Sequence, residues 1–347
     1  MSVDLREILK KVPLRVAITD YCNLGCVFCS NEGMGPDQRN LSHVNTDSLL
    51  YLIGALKAEG LNHVALTGGD PSLHPELERI MDGLEEHAIG KRFIHTNGIA
   101  LQERHIRGQL QDFTKVGVSV HAFDYDTWNA LTKGSVRQFG QVRTNLDRLA
   151  EEGYGSRVEI KHVPMEGIND SPDCMRRTLD YCAERGFKFK FLNFEPISDC
   201  HAGKGKPVTD LTAKIEALGA VPLGTEGNFR NQADYLPIQW FEYRGTKGVS
   251  IDIGCGRPDV CKACYKSNEI LITPALDIKP CHASGKTISL KDAIDARDSD
   301  EIMRRVQASR DFLYTAPGLN VSYWNQGLGT KGTSLTVSAK RAEAVLA

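Results

Sequence analysis

The run Leu14-Arg15-Val16-Ala17-Ile18-Thr19-Asp20-Tyr21-Cys22-Asn23-Leu24-Gly25-Cys26-Val27-Phe28-Cys29 places three cysteines just past a short apolar segment. The segment Leu14–Thr19 reads as a strand, and the cysteines after it fall on one tight loop. Their spacing, C-x3-C-x2-C, lets three thiolates hold three corners of a four-iron cluster and leaves the fourth iron open. Structural zinc is the rival reading, but it wants four Cys or His ligands, and no fourth cysteine lies nearby. An open coordination position is where chemistry happens, so the loop points to an enzyme.

Outward from this loop, β-rich runs alternate with helical ones. Strands are predicted at Leu14–Thr19, His63–Thr67, Arg92–His95, Gly117–His121, Arg157–Val163 and Lys188–Phe194. Amphipathic stretches lie between them at Thr46–Glu59, Pro75–His87, Val142–Glu152 and Pro172–Arg185. Such alternation gives a parallel sheet with right-handed crossovers. Six units make an α/β fold, a partial (β/α)6 TIM-like barrel. Each motif with chemical character follows a predicted strand: the cysteine loop, Gly68-Gly69-Asp70-Pro71, Thr96-Asn97-Gly98, His121-Ala122-Phe123-Asp124, Gly167-Ile168-Asn169-Asp170 and Glu195-Pro196. Barrel-type sheets carry their sites on that carboxyl face.

Residues 1–200 are expected to form the barrel and 201–245 a connecting segment. Residues 246–347 would form a second module, with Cys255, Cys261, Cys264 and Cys281, a helical stretch at Leu290–Arg310, and a tail. Among the remaining cysteines, Cys174 and Cys182 sit eight apart in a helical run and are expected to pack in the core. With 347 residues, 41% hydrophobic, the chain can bury a large core, and its formal charge of −2 argues against a nucleic-acid or anionic-membrane surface. The charged start lacks the apolar stretch of a signal peptide, and no run suits a membrane span. A cytoplasmic location is expected, where thiols stay reduced.

Taken together, Leu14–Cys29, Leu66–Pro71, Thr96–Gly98, Gly167–Asp170, Phe191–Pro196 and Cys261-Lys262-Ala263-Cys264 with Cys281 resemble the MoaA-like branch of the radical S-adenosylmethionine (SAM) superfamily, whose namesake is a GTP 3′,8-cyclase. The resemblance implies that Cys22, Cys26 and Cys29 hold a SAM-binding [4Fe–4S] cluster. It puts Phe28 near the adenine, and Gly68, Gly69 and Asp70 at the methionine end, where the family more often has Glu in the last place. Thr96 and Asn97 join the cofactor set, as do His121, where the cyclases usually have Ser, and Glu195, where they have Met at a position touching SAM. Cys261, Cys264 and Cys281 would hold a second, auxiliary [4Fe–4S] cluster in a C-terminal module. Cys255 could close that cluster with a fourth thiolate, and a zinc ribbon from the same four cysteines has ligands of the right type; the spacing leaves both open.

Candidate substrate residues are Arg15, Glu159, Lys161 and Asn268, with His162 and Glu166 beside them. Only alternate residues of a strand face inward, so about half of the fifth-strand set would line a pocket. Against the cyclase pattern, Ala65 and Glu159 stand where basic residues are expected, and Tyr265-Lys266-Ser267-Asn268 replaces a second basic stretch. A triphosphate needs converging cations. The first expectation is therefore a small polar metabolite, a nucleoside or sugar nucleotide, attacked by a 5′-deoxyadenosyl radical. A GTP 3′,8-cyclase is the runner-up, followed by a radical SAM peptide maturase and, outside enzymes, a metal-binding scaffold or sensor. An electron donor such as flavodoxin or ferredoxin is implied as partner, and neither nucleic acid nor membrane.

Overall fold

The computed structural model describes residues 4–29, 42–102, 106, 108–196, 203–227, 237–252, 269–282 and 287–315. Cys255, Cys261, Cys264 and Asn268 lie outside these residues. Six parallel strands form the centre in chain order: β1 (Leu14–Thr19), β2 (His63–Gly68), β3 (Lys91–Thr96), β4 (Lys115–Ser119), β5 (Val158–His162) and β6 (Lys188–Leu192). The helices between them include α2 (Thr46–Ala58), α3 (Leu77–Glu86), α4 (Tyr125–Thr132), α5 (Val136–Glu151) and α6 (Pro172–Arg185), with α1 (Leu5–Lys11) ahead of β1.

Local chemistry sets the helix ends. Asn45 caps α2 by accepting from the Ser48 N–H at 2.9 Å, and Asp124 caps α4 by accepting from Thr127 N–H at 2.9 Å. Helix α5 opens on a capping box, Ser135 with Gln138, six residues before its expected start at Val142. Ser171 and Pro172 open α6, and Gly186 ends it at φ 66°.

Each central strand has two unlike faces. Val16, Ile18, Val64, Leu66, Ile94, Val116, Val118, Val158, Ile160, Phe189 and Phe191 are fully buried in the main core. The alternate residues are largely polar: Arg15, Thr67, His95, Lys115, Glu159, Lys161 and Lys190. Register links them, Phe93 pairing with Lys115, Gly117 with Glu159, and Lys161 with Lys190. The apolar face is the one the helices cover; His162, on that face, meets Thr178 of α6 at 2.9 Å. The polar face therefore lines the concave interior.

Segment 201–245, expected as a connector, adds helix α7 (Leu211–Ala217) and strands β7 (Val221–Gly227) and β8 (Pro237–Tyr243). With β9 (Thr246–Ile251) they extend the sheet, β9 lying parallel to β6 and antiparallel to β8. At the other edge β10 (Ile270–Ile272) runs parallel to β1, followed antiparallel by β11 (Asp277–Lys279) and β12 (Ile288–Ser289). Among the described residues the result is one open sheet of twelve strands rather than a closed barrel. The expected Leu290–Arg310 helix is two, α8 (Lys291–Asp295) and α9 (Ser299–Thr315). Cys174 and Cys182 are buried in α6. Among the described residues no helix is long and apolar enough to cross a membrane.

Candidate active site

The cysteine loop hangs from the end of β1 and is fastened to α4. Gly25 N–H donates to the Thr132 carbonyl at 2.9 Å and Val27 N–H to the Leu131 carbonyl at 2.8 Å. A tight turn, Cys29 N–H to the Cys26 carbonyl at 3.2 Å, closes the C-x2-C half. The three sulfurs share one neighbourhood: burial raises the Cys26 thiol first, and the charges of Cys29 and Cys22 raise it further. The Asn97 amide donates to Cys22 Sγ at 3.8 Å and to Asn23 Oδ1 at 2.7 Å. Three thiols on one loop, with an amide donor on one sulfur, make a donor set that suits an iron–sulfur cluster.

Gly68 and Gly69 bring the next loop against this one. A Cβ on Gly68 would stand 2.2 Å from the Thr19 carbonyl oxygen, and one on Gly69 2.2 Å from that of Tyr21. Gly68 also has φ 134°, which a side chain would strain. The close approach these glycines permit is therefore to the backbone that carries the cysteines.

Asp70 follows directly after the glycine pair. Its side chain is fully buried and its carboxylate is committed to the protein. Oδ1 accepts from Ser72 N–H at 3.0 Å and from the Ser72 hydroxyl; Oδ2 accepts from Asn97 N–H at 2.7 Å; the Thr96 hydroxyl lies 2.9 Å from Oδ2. These donors use most of the carboxylate's lone pairs. Asp70 and Thr96 thus join the ends of β2 and β3 and hold Asn97 toward Cys22.

On the cysteine loop itself, Phe28 meets the His121 ring edge-on, centroids 4.5 Å apart. Phe28 also packs on a small apolar cluster of Leu131, Met165 and Phe194. His121 Nδ1 accepts from Val163 N–H at 3.1 Å, which leaves the proton on Nε2. Burial, then His162 and Lys161, push its pKa down to about 3, so the ring is neutral. Glu195 is half-buried just past β6.

Asn169 is a further organising residue, with no role in the sequence reading. It is fully buried; its amide donates to the carbonyls of His121 at 2.9 Å and Val163 at 3.0 Å, and its Oδ1 accepts from Met165 N–H at 2.8 Å. It welds the ends of β4 and β5. The available signal was an Asn in a Gly-x-Asn-Asp loop after a strand, a residue type that bonds local backbone.

Below the rim the interior is charged. Arg15 Nη1 lies 3.1 Å from Glu269 Oε2, and Lys115 Nζ 2.6 Å from Glu159 Oε2. Lys161 Nζ lies 2.6 Å from His95 Nδ1. Arg15 and Lys279 share a narrow cleft with Thr67 and Thr273. Burial favours a neutral Glu159, but Lys115, Lys190 and Lys161 together hold it below the ordinary carboxylate range. Of the fifth-strand candidates, Glu159 and Lys161 face in, His162 faces the helices and Glu166 is exposed. Cys281, half-buried, stands just past β11.

A family model for the radical SAM superfamily matches residues 16–188, the strands and loops just described. The chain belongs to the radical SAM superfamily. It is similar to the GTP 3′,8-cyclase of Clostridium acetobutylicum, 28% identical over 291 residues, 82% of this chain and 85% of that protein. The GTP 3′,8-cyclase of Yersinia pestis is 26% identical over 304 residues, 85% of this chain and 88% of that one. Among solved structures, Streptococcus suis SuiB bound to precursor peptide SuiA superposes with a TM-score of 0.63 at 17% identity, covering 90% of this chain and 68% of SuiB, a likeness of fold. This radical SAM protein is thus a MoaA-like enzyme built on a partial barrel, and the cofactors of its kind are a [4Fe–4S] cluster and SAM, with a second cluster in the MoaA-like branch.

Proposed function

We propose that this radical SAM enzyme acts on a phosphorylated small molecule of the nucleotide class, and that GTP cyclisation is the reaction to test first. One observation carries the reading. Among the described residues, the interior collects Arg15, Lys115, Lys161, Lys190 and Lys279 around only two carboxylates, Glu159 and Glu269. That surplus of basic groups over carboxylates suits an anionic substrate, whose charge would favour the protonated forms of Lys161 and Lys190 that burial and neighbouring cations suppress. Lys115 on the adjoining strand neutralises the Glu159 carboxylate, and Lys161 two residues on offers a basic group, so the expected loss of phosphate-binding charge is smaller than the sequence suggests. Similarity to the two cyclases along most of the chain supports the same order, with GTP ahead of the nucleoside or sugar nucleotide first expected.

When bound, the cluster and SAM supply a 5′-deoxyadenosyl radical for hydrogen abstraction. Cys22, Cys26 and Cys29 would hold the cluster, and Asn97, set by Asp70, would donate to Cys22. Phe28 and His121 would form an apolar rim beside the adenine and keep water from the radical, with Glu195 on the same rim. Arg15, Lys161 and Lys190 would hold and orient the phosphates. Cys261, Cys264 and Cys281 are proposed to carry the second cluster, within a C-terminal module following the barrel, and a flavodoxin- or ferredoxin-like donor to supply electrons. The test is anaerobic incubation of reduced, cluster-loaded enzyme with SAM and GTP. A cyclised purine product together with 5′-deoxyadenosine supports the reading; SAM cleavage without any change in GTP overturns the choice of substrate.

A further inference from the structure

We propose that Lys161 and His95, joined across Gly117 on the inner wall of the barrel, form a proton-coupled anion site that takes up a proton from solvent when a phosphorylated substrate enters. This rests on the barrel being the substrate chamber, as argued above.

The geometry is particular to this chain's residues. His95 is on β3 and Lys161 on β5, two strands separated by β4. They meet at 2.6 Å because the intervening inward position is Gly117. A Cβ there would stand 2.8 Å from His95 Nδ1 and 2.8 Å from Lys161 Cε, so any side chain would part the pair. Both residues remain half-buried, within reach of a solute.

What surrounds the pair decides its protonation. Arg15 faces it from β1, Lys115 from β4, Glu159 from β5 itself and Lys190 from β6; Glu269, just before β10, and Lys279, on β11, lie near Arg15. The two carboxylates are engaged elsewhere, Glu159 by Lys115 and Glu269 by Arg15. Among the described residues, the hydrogen-bond partner of Lys161 is the neutral His95 ring nitrogen, while the Glu159 carboxylate, whose charge acts on it, is held by Lys115. Burial, then Arg15 and Lys190, depress the Lys161 ammonium well below its ordinary range; burial, then Lys161, does the same to His95. These protein surroundings therefore disfavour the charge on both groups.

A phosphoryl group reverses this balance. Its negative charge adds a counter-ion in direct contact with the pair and favours the ammonium form of Lys161, which then donates a charged hydrogen bond to the phosphate. The proton comes from solvent, and no electron moves. Linkage gives the sign: across the window between the free and bound pKa values of the pair, affinity falls as pH rises, by roughly tenfold per pH unit for one proton. Below that window the pair is already charged and binding takes up nothing.

The test is titration calorimetry on the cluster-loaded, SAM-bound enzyme, with GTP and with inorganic triphosphate as probes, in buffers of different ionisation enthalpy. We expect about one proton to be taken up per anion bound, with affinity weakening roughly tenfold per pH unit through the window. In Lys161→Arg, whose guanidinium stays charged, binding should persist with no proton uptake and a flat pH profile; a His95→Phe variant should bind both probes more weakly, with less uptake. Thermal melting of each variant confirms that it is folded. Triphosphate binding with uptake, but no GTP binding, would keep this inference while removing GTP as substrate. Binding whose heat is independent of buffer, uptake undiminished in Lys161→Arg, or no binding of either probe would overturn it.

Discussion

Asp70 Oδ2 accepts a 2.7 Å hydrogen bond from the backbone N–H of Asn97, and the Asn97 side chain in turn reaches Asn23 and Cys22 of the cysteine loop. A buried carboxylate thus ties three loops from three strands into one frame. The cofactor end of the site is held by its support as much as by the groups that would touch SAM.

Removing that support should be costly. In Asp70→Ala the donors of Ser72, Thr96 and Asn97 lose their acceptor inside the protein. Each stranded donor costs about 1–3 kcal/mol, partly offset by relief of the buried charge, so a net loss of about 3 kcal/mol is expected. Thermal unfolding should register it, and SAM should bind the cluster-loaded variant at least about tenfold more weakly, about 1.4 kcal/mol. Melting and SAM binding unchanged from the parent would remove Asp70 from this role.

Gly117→Val separates the two halves of the site. Its side chain would part His95 from Lys161 while leaving the cysteine loop, Asp70 and Asn97 untouched. SAM affinity should be retained and GTP affinity should fall, a split that parallel calorimetric titrations measure. Equal loss of both would mean that the substitution disturbs the whole barrel.

Acid should weaken the fold through His162. The ring is fully buried between Thr178 and Asn169, and burial lowers its pKa from 6.5 to about 4. The unfolded chain protonates first as pH falls, so this contribution is complete above about pH 6.5 and is lost on the way to about pH 4. The whole shift amounts to about 3 kcal/mol, of which about 2 is gone by about pH 5. His121 acts in the same direction. Urea midpoints from neutral pH to about pH 5 should fall accordingly, and His162→Gln should flatten the dependence; an equally steep fall in that variant would assign the acid sensitivity elsewhere.

Iron content distinguishes the two metal sites. Reconstituted enzyme should carry about eight irons per chain, from two four-iron clusters. Alanine at Cys22, Cys26 and Cys29 should leave about four, as should alanine at Cys261, Cys264 and Cys281, but only the first set should abolish SAM cleavage outright. Zinc at the second site, by elemental analysis, would contradict the two-cluster assignment.

Strand β1 and helix α6 run with the bounds their sequence patterns suggest, because apolar runs and caps are local signals. The start of α5 was equally local: Ser135 and Gln138 spell a capping box ahead of Val142. What no local pattern carries is contact across the barrel. Asp70 and Thr96 are 26 residues apart, and His95 and Lys161 are 66 apart. Only strand order and register bring these partners together. The hairpin of β7 and β8 was obscured for another reason: Pro222, Gly224 and Gly227 interrupt the alternation that marks a strand, and Pro222–Gly224 is where its register shifts.

We propose that the inner basic residues select a phosphorylated substrate for radical chemistry, and anaerobic 5′-deoxyadenosine formation in reduced, cluster-loaded enzyme, titrated with GTP and with guanosine, measures this most directly. Two charged hydrogen bonds at about 1.5 kcal/mol each favour GTP by about 3 kcal/mol, so GTP should stimulate SAM cleavage at a concentration about a hundredfold lower than guanosine. Equal stimulation by the two, or none by GTP, would contradict the claim.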